Sequence, residues 1–145
     1  MMWLLDTNVV SELRKVEAGK ADPNFAAWCE TVDADDLYIS AITVMELEMG
    51  ILRLERKDEA QGSVLRQWFD QLVLPEFSER VLAVDTQVAQ RCAQLHVPDP
   101  KSERDALIAA TALVHGMPLV TRNTADFRNT SVSLKNPWLL TETAT

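Results

Sequence analysis

The sequence predicts an α/β domain built on a mainly parallel sheet, and three observations carry that prediction. Short apolar runs, such as Trp3-Leu4-Leu5 and Leu37-Tyr38-Ile39, alternate with longer stretches of helical periodicity. Apolar runs of this kind, lacking strict in–out alternation, suit strands buried on both faces. Acids stand at or just beyond the ends of several runs, where open α/β sheets place their ligands. The length of 145 residues fits one domain with a single sizeable core.

The first strand, Trp3-Leu4-Leu5, stops on Asp6. Thr7 and Asn8 are both good N-cap types, so a helix is expected to start at once, with Val9, Val10 and Leu13 on one face from Asn8 to Val16. Asp22 before Pro23 reads as a cap with proline at the first helical position, opening a second helix that carries Phe25, Trp28 and Cys29. Leu37-Tyr38-Ile39-Ser40 is the second strand. Thr43 then begins a long helix with Val44, Leu47, Ile51, Leu52 and Leu54 as its apolar set, broken at Lys57 to Glu59. Ala60 to about Leu74 makes a further helix, stopped by Pro75. The two helices are expected to form a projecting antiparallel hairpin. Val81-Leu82-Ala83-Val84, ended by Asp85, is the third strand, and Thr86 to His96 the next helix. After the loop Pro98-Asp99-Pro100-Lys101, Ser102 starts the most apolar helix, Asp105 to His115, closed by Gly116. Pro118-Leu119-Val120-Thr121 is the fourth strand and Ser131 to Leu134 a fifth, ended by Asn136-Pro137. Trp138, Leu139 and Leu140 are expected to pack back on the domain. The expected limits are residues 1–140 for one domain and 141–145 for a frayed tail. Two helices between parallel strands three and four require one of them to cross the sheet, or the proline loop to carry the chain back.

The composition, 47% hydrophobic and 25% charged, is ordinary for a soluble globular protein. No apolar run approaches a membrane span, and no signal-peptide pattern opens the chain, which reads as cytoplasmic. Cys29 and Cys92 match no metal spacing and read as buried thiols. His96 and His115 fall near helix ends, where contacts with the C-terminal dipole account for them. A net charge of −8 is unusual for a nucleic-acid binder but suits an acidic cation site, and it leaves room for a local basic patch.

Four acids stand at comparable places: Asp6 after strand one, Glu46 in the first turn after strand two, Asp105 in the first turn of the apolar helix, and Asp126 after strand four, with Asn123 three residues before it. Each has a plainer explanation. Thr43 to Glu46 and Ser102 to Asp105 have the form of capping boxes. Asp6 suits a helix dipole, and Asp126 suits a turn. Those explanations leave unanswered why all four gather at strand ends. Like charges about 4 Å apart repel by about 4 kcal/mol at an effective dielectric near 20, which hard divalent ions relieve. With no nucleophile motif and no Gly-rich phosphate loop, metal-assisted hydrolysis is the reaction class that fits.

Four segments in order resemble the motifs of the PIN domain: Leu4-Leu5-Asp6-Thr7-Asn8, Ile39 to Leu47, Arg104 to Ala112, and Thr121 to Phe127. The resemblance spans nearly the whole chain and is nearest to the VapC and FitB-like toxins of type II toxin–antitoxin systems. It implies a sheet ordered 3-2-1-4-5 and a Mg²⁺- or Mn²⁺-dependent ribonuclease. It further implies a homodimer, extending to a heterotetramer or larger assembly with a small VapB-like antitoxin. Asp6, Glu46 and Asp105 match the family's acids. At the fourth position some members carry an acid where Asn123 stands, and Asp126 is expected to supply that charge, with Asn123 binding water or a neighbouring carboxylate. Thr7 and Thr121 look like hydroxyls that orient the acids, and Arg104, Arg122 and Arg128 are candidates to hold RNA. The hairpin residues Met45, Met49, Leu52 and Trp68 exceed what one core face needs and are candidates for the antitoxin surface. Competing readings are a PIN nuclease of RNA processing without an antitoxin, a non-enzymatic binding domain, and a haloacid dehalogenase-type phosphatase. The last would need an acid where Asn8 stands.

Overall fold

The computed structural model describes residues 1–139. Leu140 and the expected tail at 141–145 lie outside them. A five-stranded parallel sheet runs in the order β3-β2-β1-β4-β5. The strands are β1 (Trp3–Leu5), β2 (Leu37–Ser40), β3 (Val81–Leu82), β4 (Leu119–Val120) and β5 (Leu134–Lys135). Trp3 pairs with Leu37, Leu4 with Leu119, and Ile39 with Val81.

Successive side chains of a strand point to opposite faces. Leu4 and Leu5 are both fully buried, yet they enter different clusters. Leu5 packs with Val9, Val10, Phe25, Ile39 and Phe69 on the face covered by α1 (Thr7–Glu17), α2 (Pro23–Thr31), α3 (Ala41–Lys57) and α4 (Glu59–Trp68). Leu4 packs with Val88, Ile108, Ala109 and Leu119 on the face covered by α6 (Thr86–His96) and α7 (Glu103–His115). The crossing problem is thereby settled. Both helices between β3 and β4 lie on one face, and the proline loop turns the chain back between them while the connection passes over β2 and β1.

Several boundaries depart from expectation. Asp6, not Thr7 or Asn8, caps α1, its carboxylate accepting from the Thr7 N–H at 2.8 Å. Ser40, not Thr43, caps α3, which starts two residues earlier than predicted, and Ser40 Oγ accepts the Thr43 N–H at 3.1 Å. Pro75 does not stop the fourth helix. The chain continues through a π-helical turn (Phe69–Val73) into the short α5 (Leu74–Glu76), where Pro75 lies in the first turn and its missing N–H is least felt. The third and fourth strands are each two residues long, shorter than predicted. The fifth starts only at Leu134, because Ser131 holds a positive φ of 65° that no ladder accommodates. Trp138 packs on Phe25 at 4.8 Å between ring centroids, as expected, but Leu139 is exposed. His96 Nδ1 accepts the Lys101 N–H at 3.1 Å, so this ring fastens the proline loop rather than answering a helix dipole. Cys92 is buried and Cys29 half-buried, both free, and burial pushes the Cys29 thiol up to about 11. Among the described residues no helix is long and apolar enough to cross a membrane.

The hairpin of α3 and α4 closes tightly at Gly62. A Cβ there would lie 2.6 Å from Glu55 Cα and 2.8 Å from Glu55 N, both backbone atoms. Nearby, Arg66 joins Glu48 and Glu55 of α3 to α4. Gly62→Ala forces the two helices apart and is expected to lower stability by about 1–3 kcal/mol, the usual cost of overpacking. A thermal melt checks this, and an unchanged midpoint contradicts it.

Candidate active site

Parallel strands bring the sequence-predicted acids to one edge. Asp6 follows β1, Ser40 ends β2 and aims α3, and Thr121 follows β4. Asp6 is 6% exposed. Its Oδ1 accepts the Thr7 N–H, and its Oδ2 accepts from Thr121 Oγ1 at 2.8 Å and from Asn8 Nδ2 at 3.0 Å. This carboxylate is held in one orientation by groups from two strand ends.

Glu46 does not fold back as a capping acid. Ser40 has taken the cap, and Glu46 Oε1 instead accepts from Thr7 Oγ1 at 2.6 Å. A contact of 3.1 Å joins the Thr7 and Thr43 hydroxyls. Thr7 thus ties α3 to the start of α1 and turns Glu46 toward Asp6. Glu46 Oε2 meets Arg104 Nη1 of α7 at 3.5 Å.

Asp105 lies in the first turn of α7, and Asp126 lies in a 3₁₀ turn (Thr124–Phe127) that follows β4. The charges of these acids bear on one another. Burial raises the Asp6 carboxyl above its ordinary range, hydrogen bonds from Thr121 and Thr7 oppose this, and the charges of Glu46 and Asp105 add to the rise. Asp105 is also raised, by burial first, then by the charge of Asp126 and, more weakly, of Glu46; the Ser102 side chain and Arg104 oppose this. All four predicted acids therefore belong to one electrostatic cluster drawn from four segments of the chain.

Asn123 is held through its backbone. Its side chain makes no capping bond; its backbone carbonyl accepts the Asp126 N–H at 3.1 Å, and its own N–H reaches Thr121 Oγ1 at 3.0 Å. Asn123 and Asp126 are both exposed. The Arg122 guanidinium lies over the Trp138 ring at 5.5 Å, and its backbone N–H donates to Asn8 Oδ1 at 3.1 Å. Arg128 is exposed. Asn8 was missed as a site residue, although it bridges the Asp6 carboxylate, Thr121 and the backbone of the loop carrying Asn123. Its position two residues after a strand-end acid was the available signal.

Among the described residues, no three Asp, Glu, His or Cys side chains converge closely enough to enclose a metal ion unaided. The donor set nevertheless fits a hard divalent cation. It consists of carboxylate oxygens, with hydroxyls and amides behind them fixing Asp6 and Glu46; Asp6 Oδ1 and Glu46 Oε1 each accept one hydrogen bond and keep a further lone pair. Two of the acids are raised by burial first and by their neighbours' charge in addition, with Arg104 beside Glu46 as a counter-cation.

Comparison with known proteins agrees with this geometry. The family model described as PIN domain matches residues 3–132. Toxin FitB of Neisseria gonorrhoeae is 36% identical over 142 residues, covering 94% of this chain and 99% of that protein. VapC ribonuclease Y4jK of Sinorhizobium fredii is 34% identical over 142 residues, covering 94% of this chain and 98% of that protein. The crystal structure of FitAcB from Neisseria gonorrhoeae matches with a TM-score of 0.85 at 35% identity, covering 96% of this chain and 100% of that one. With its sheet order, its four motifs and the full-length match, the chain belongs to the PIN-domain family.

Proposed function

We propose that this protein is a ribonuclease, the toxin of a type II toxin–antitoxin pair, which hydrolyses RNA with Mg²⁺ or Mn²⁺ held by Asp6, Glu46, Asp105 and Asp126. The carrying observation is the acid-lined carboxyl edge of the sheet, where Thr121 and Asn8 hold Asp6, Thr7 holds Glu46, Arg104 of α7 meets Glu46, and the charges of Glu46, Asp105 and Asp126 add to the rise of their neighbours. When bound, the metal supplies an activated water and stabilises charge on the departing oxygen. The chain's own residues set up that chemistry. Asp6 is aimed by Thr121, Asn8 and the Thr7 N–H, and Glu46 by the Thr7 hydroxyl. Arg104, which meets Glu46, and Arg122 and Arg128, which flank the loop carrying Asn123 and Asp126, are assigned to RNA phosphates. Arg104 is paired with Glu46 and Arg122 stacked on Trp138 until RNA arrives. The site of action is the cytoplasm, where its RNA is made, and the working form is a homodimer, joined by a small VapB-like antitoxin in a heterotetramer or larger complex. Induced expression with mapping of RNA ends tests the reading. New ends are expected with wild type and not with Asp6→Asn; an identical pattern for both contradicts it.

The fourth acidic position is assigned to Asp126. Its charge bears on Asp105, whereas Asn123 acts through its backbone. Asp126→Asn is expected to slow cleavage more than Asn123→Ala and to raise the metal concentration needed for half-maximal rate. Full activity in Asp126→Asn beside an inactive Asn123→Ala would reverse the assignment.

The hairpin is assigned to the antitoxin surface. Met45 and Leu52 are exposed, Leu52 by 50%, whereas Met49 and Trp68 are half-buried and share in packing. Leu52→Glu is expected to weaken antitoxin binding about tenfold or more, the range of an interface anchor, with an unchanged melting point. Unaltered binding would remove Leu52 from the interface.

A further inference from the structure

Gly50 has no reason within the fold to be glycine. It lies inside α3, where glycine is a poor helix former, and it needs no positive φ. A Cβ added there would meet nothing within 4 Å, so no neighbouring element demands the missing side chain, in contrast to Gly62. Gly50 is exposed and lines a groove of about 360 Å³ that opens at Thr7 and Glu46. Trp68 and Leu65 of α4 also line it, and Arg14 and Lys15 of α1 give it a basic rim. Lys15 touches Glu12 at 3.2 Å but remains exposed, and Arg14 has no acidic partner among the described residues. Two adjacent cations on a chain of net charge −8 are a local reversal of sign next to the acid cluster.

We infer that this groove is a nucleotide subsite for the RNA that continues beyond the cleaved bond, with Gly50 left bare so that a nucleotide can approach the α3 backbone. The inference rests on the ribonuclease reading. A polymer cut at the acids must extend past them, and this groove begins at one of those acids. Its chemistry suits a nucleotide: an indole for base stacking and two cations for the flanking phosphates. Through Trp68 and Gly50 it sets how readily RNA is seated; it adds no reacting group.

The test uses a fluorescein-labelled oligoribonucleotide of random sequence, bound with Mg²⁺ present to protein carrying Asp105→Asn, so that binding is read without cutting. Gly50→Ala, Gly50→Leu and Arg14→Ala are compared in that background. Gly50→Ala is expected to melt at a higher temperature than its parent, because alanine favours the helix, and yet to bind RNA more weakly. Gly50→Leu is expected to weaken binding about tenfold, the scale of one lost base–aromatic stack. Arg14→Ala is expected to flatten the dependence of log affinity on log salt by about 0.7, the share of one phosphate contact on a single strand. RNA affinity equal to the parent's in both Gly50 variants overturns the subsite, and if the same variants escape the antitoxin, the groove belongs to that protein. RNA bound by wild type but left uncut overturns the ribonuclease reading and leaves the subsite standing. No RNA binding by the parent overturns both.

Discussion

Replacing Asp6 by asparagine will abolish RNA cleavage while making the metal-free protein more stable. The two effects share one cause. Asp6 is buried and its carboxyl is raised first by that burial and further by the charges of Glu46 and Asp105. A buried anion beside other anions suits a cation and works against a fold that has none. Asparagine keeps the size, and its Oδ1 can accept from Thr121 and Asn8; its Nδ2 then faces the Thr7 N–H, so one cap bond is given up for removal of the buried charge. A loss of several kcal/mol of transition-state stabilisation corresponds to roughly a thousandfold in rate. The pH dependence follows in sign. A carboxyl raised in the folded state binds more protons folded than unfolded across the interval between its two values. The Asp6 contribution to metal-free stability is therefore most favourable below the ordinary carboxyl value of about 3.9 and is lost as pH rises through the raised one. Asp6→Asn is expected to flatten this part of the stability–pH curve. Denaturant melts from acid to neutral pH, without metal, check it; a variant less stable than wild type at neutral pH contradicts the electrostatic account.

Adding Mg²⁺ or Mn²⁺ will raise the melting temperature of wild type. A ligand that binds only the native state adds about 2.7 kcal/mol at a hundred times its dissociation constant. In a domain of this size that corresponds to a shift of roughly 5–10 °C. The shift is expected to be large because the metal relieves a repulsion that the fold otherwise carries among Asp6, Glu46, Asp105 and Asp126. Asp105→Asn is expected to melt higher than wild type without metal and to respond less to it. An unchanged melting point across millimolar metal in both proteins contradicts a metal site. Because the acids do not enclose an ion unaided, the response is expected to need metal in the millimolar range that weakly preorganised sites require.

The sheet and its edge were legible in the sequence for a simple reason. Leu4, Leu5, Ile39, Leu119 and Val120 are buried to the last few per cent, so nothing polar interrupts their runs, and the acids stand out immediately after them. Order along the chain then sufficed to expect Asp6, Glu46, Asp105 and Asp126 on one edge. What was not legible depended on contacts far apart in sequence. Ser40 and Thr43 are equally good caps; only the end of β2 decides for Ser40 and so frees Glu46 to meet Thr7, 39 residues away. Pro75 reads as a stop, but a π turn before it shifts the helix so that proline falls in a first turn. Arg122 reads as a free cation until Trp138 packs on Phe25 and brings its ring beneath the guanidinium. Asn8 reads as a cap residue until β4 arrives with Thr121 and the backbone of Arg122.

The central claim is that carboxylates and a metal deliver water to the RNA phosphate. The most direct measurement is cleavage of an oligoribonucleotide by the purified protein in ¹⁸O-enriched water with Mg²⁺, followed by mass spectrometry of the new ends. The account predicts a linear terminal phosphate carrying one solvent oxygen, opposite a free hydroxyl, and no product from Asp6→Asn. A 2′,3′-cyclic phosphate without solvent oxygen would show attack by the ribose hydroxyl instead, and would contradict it.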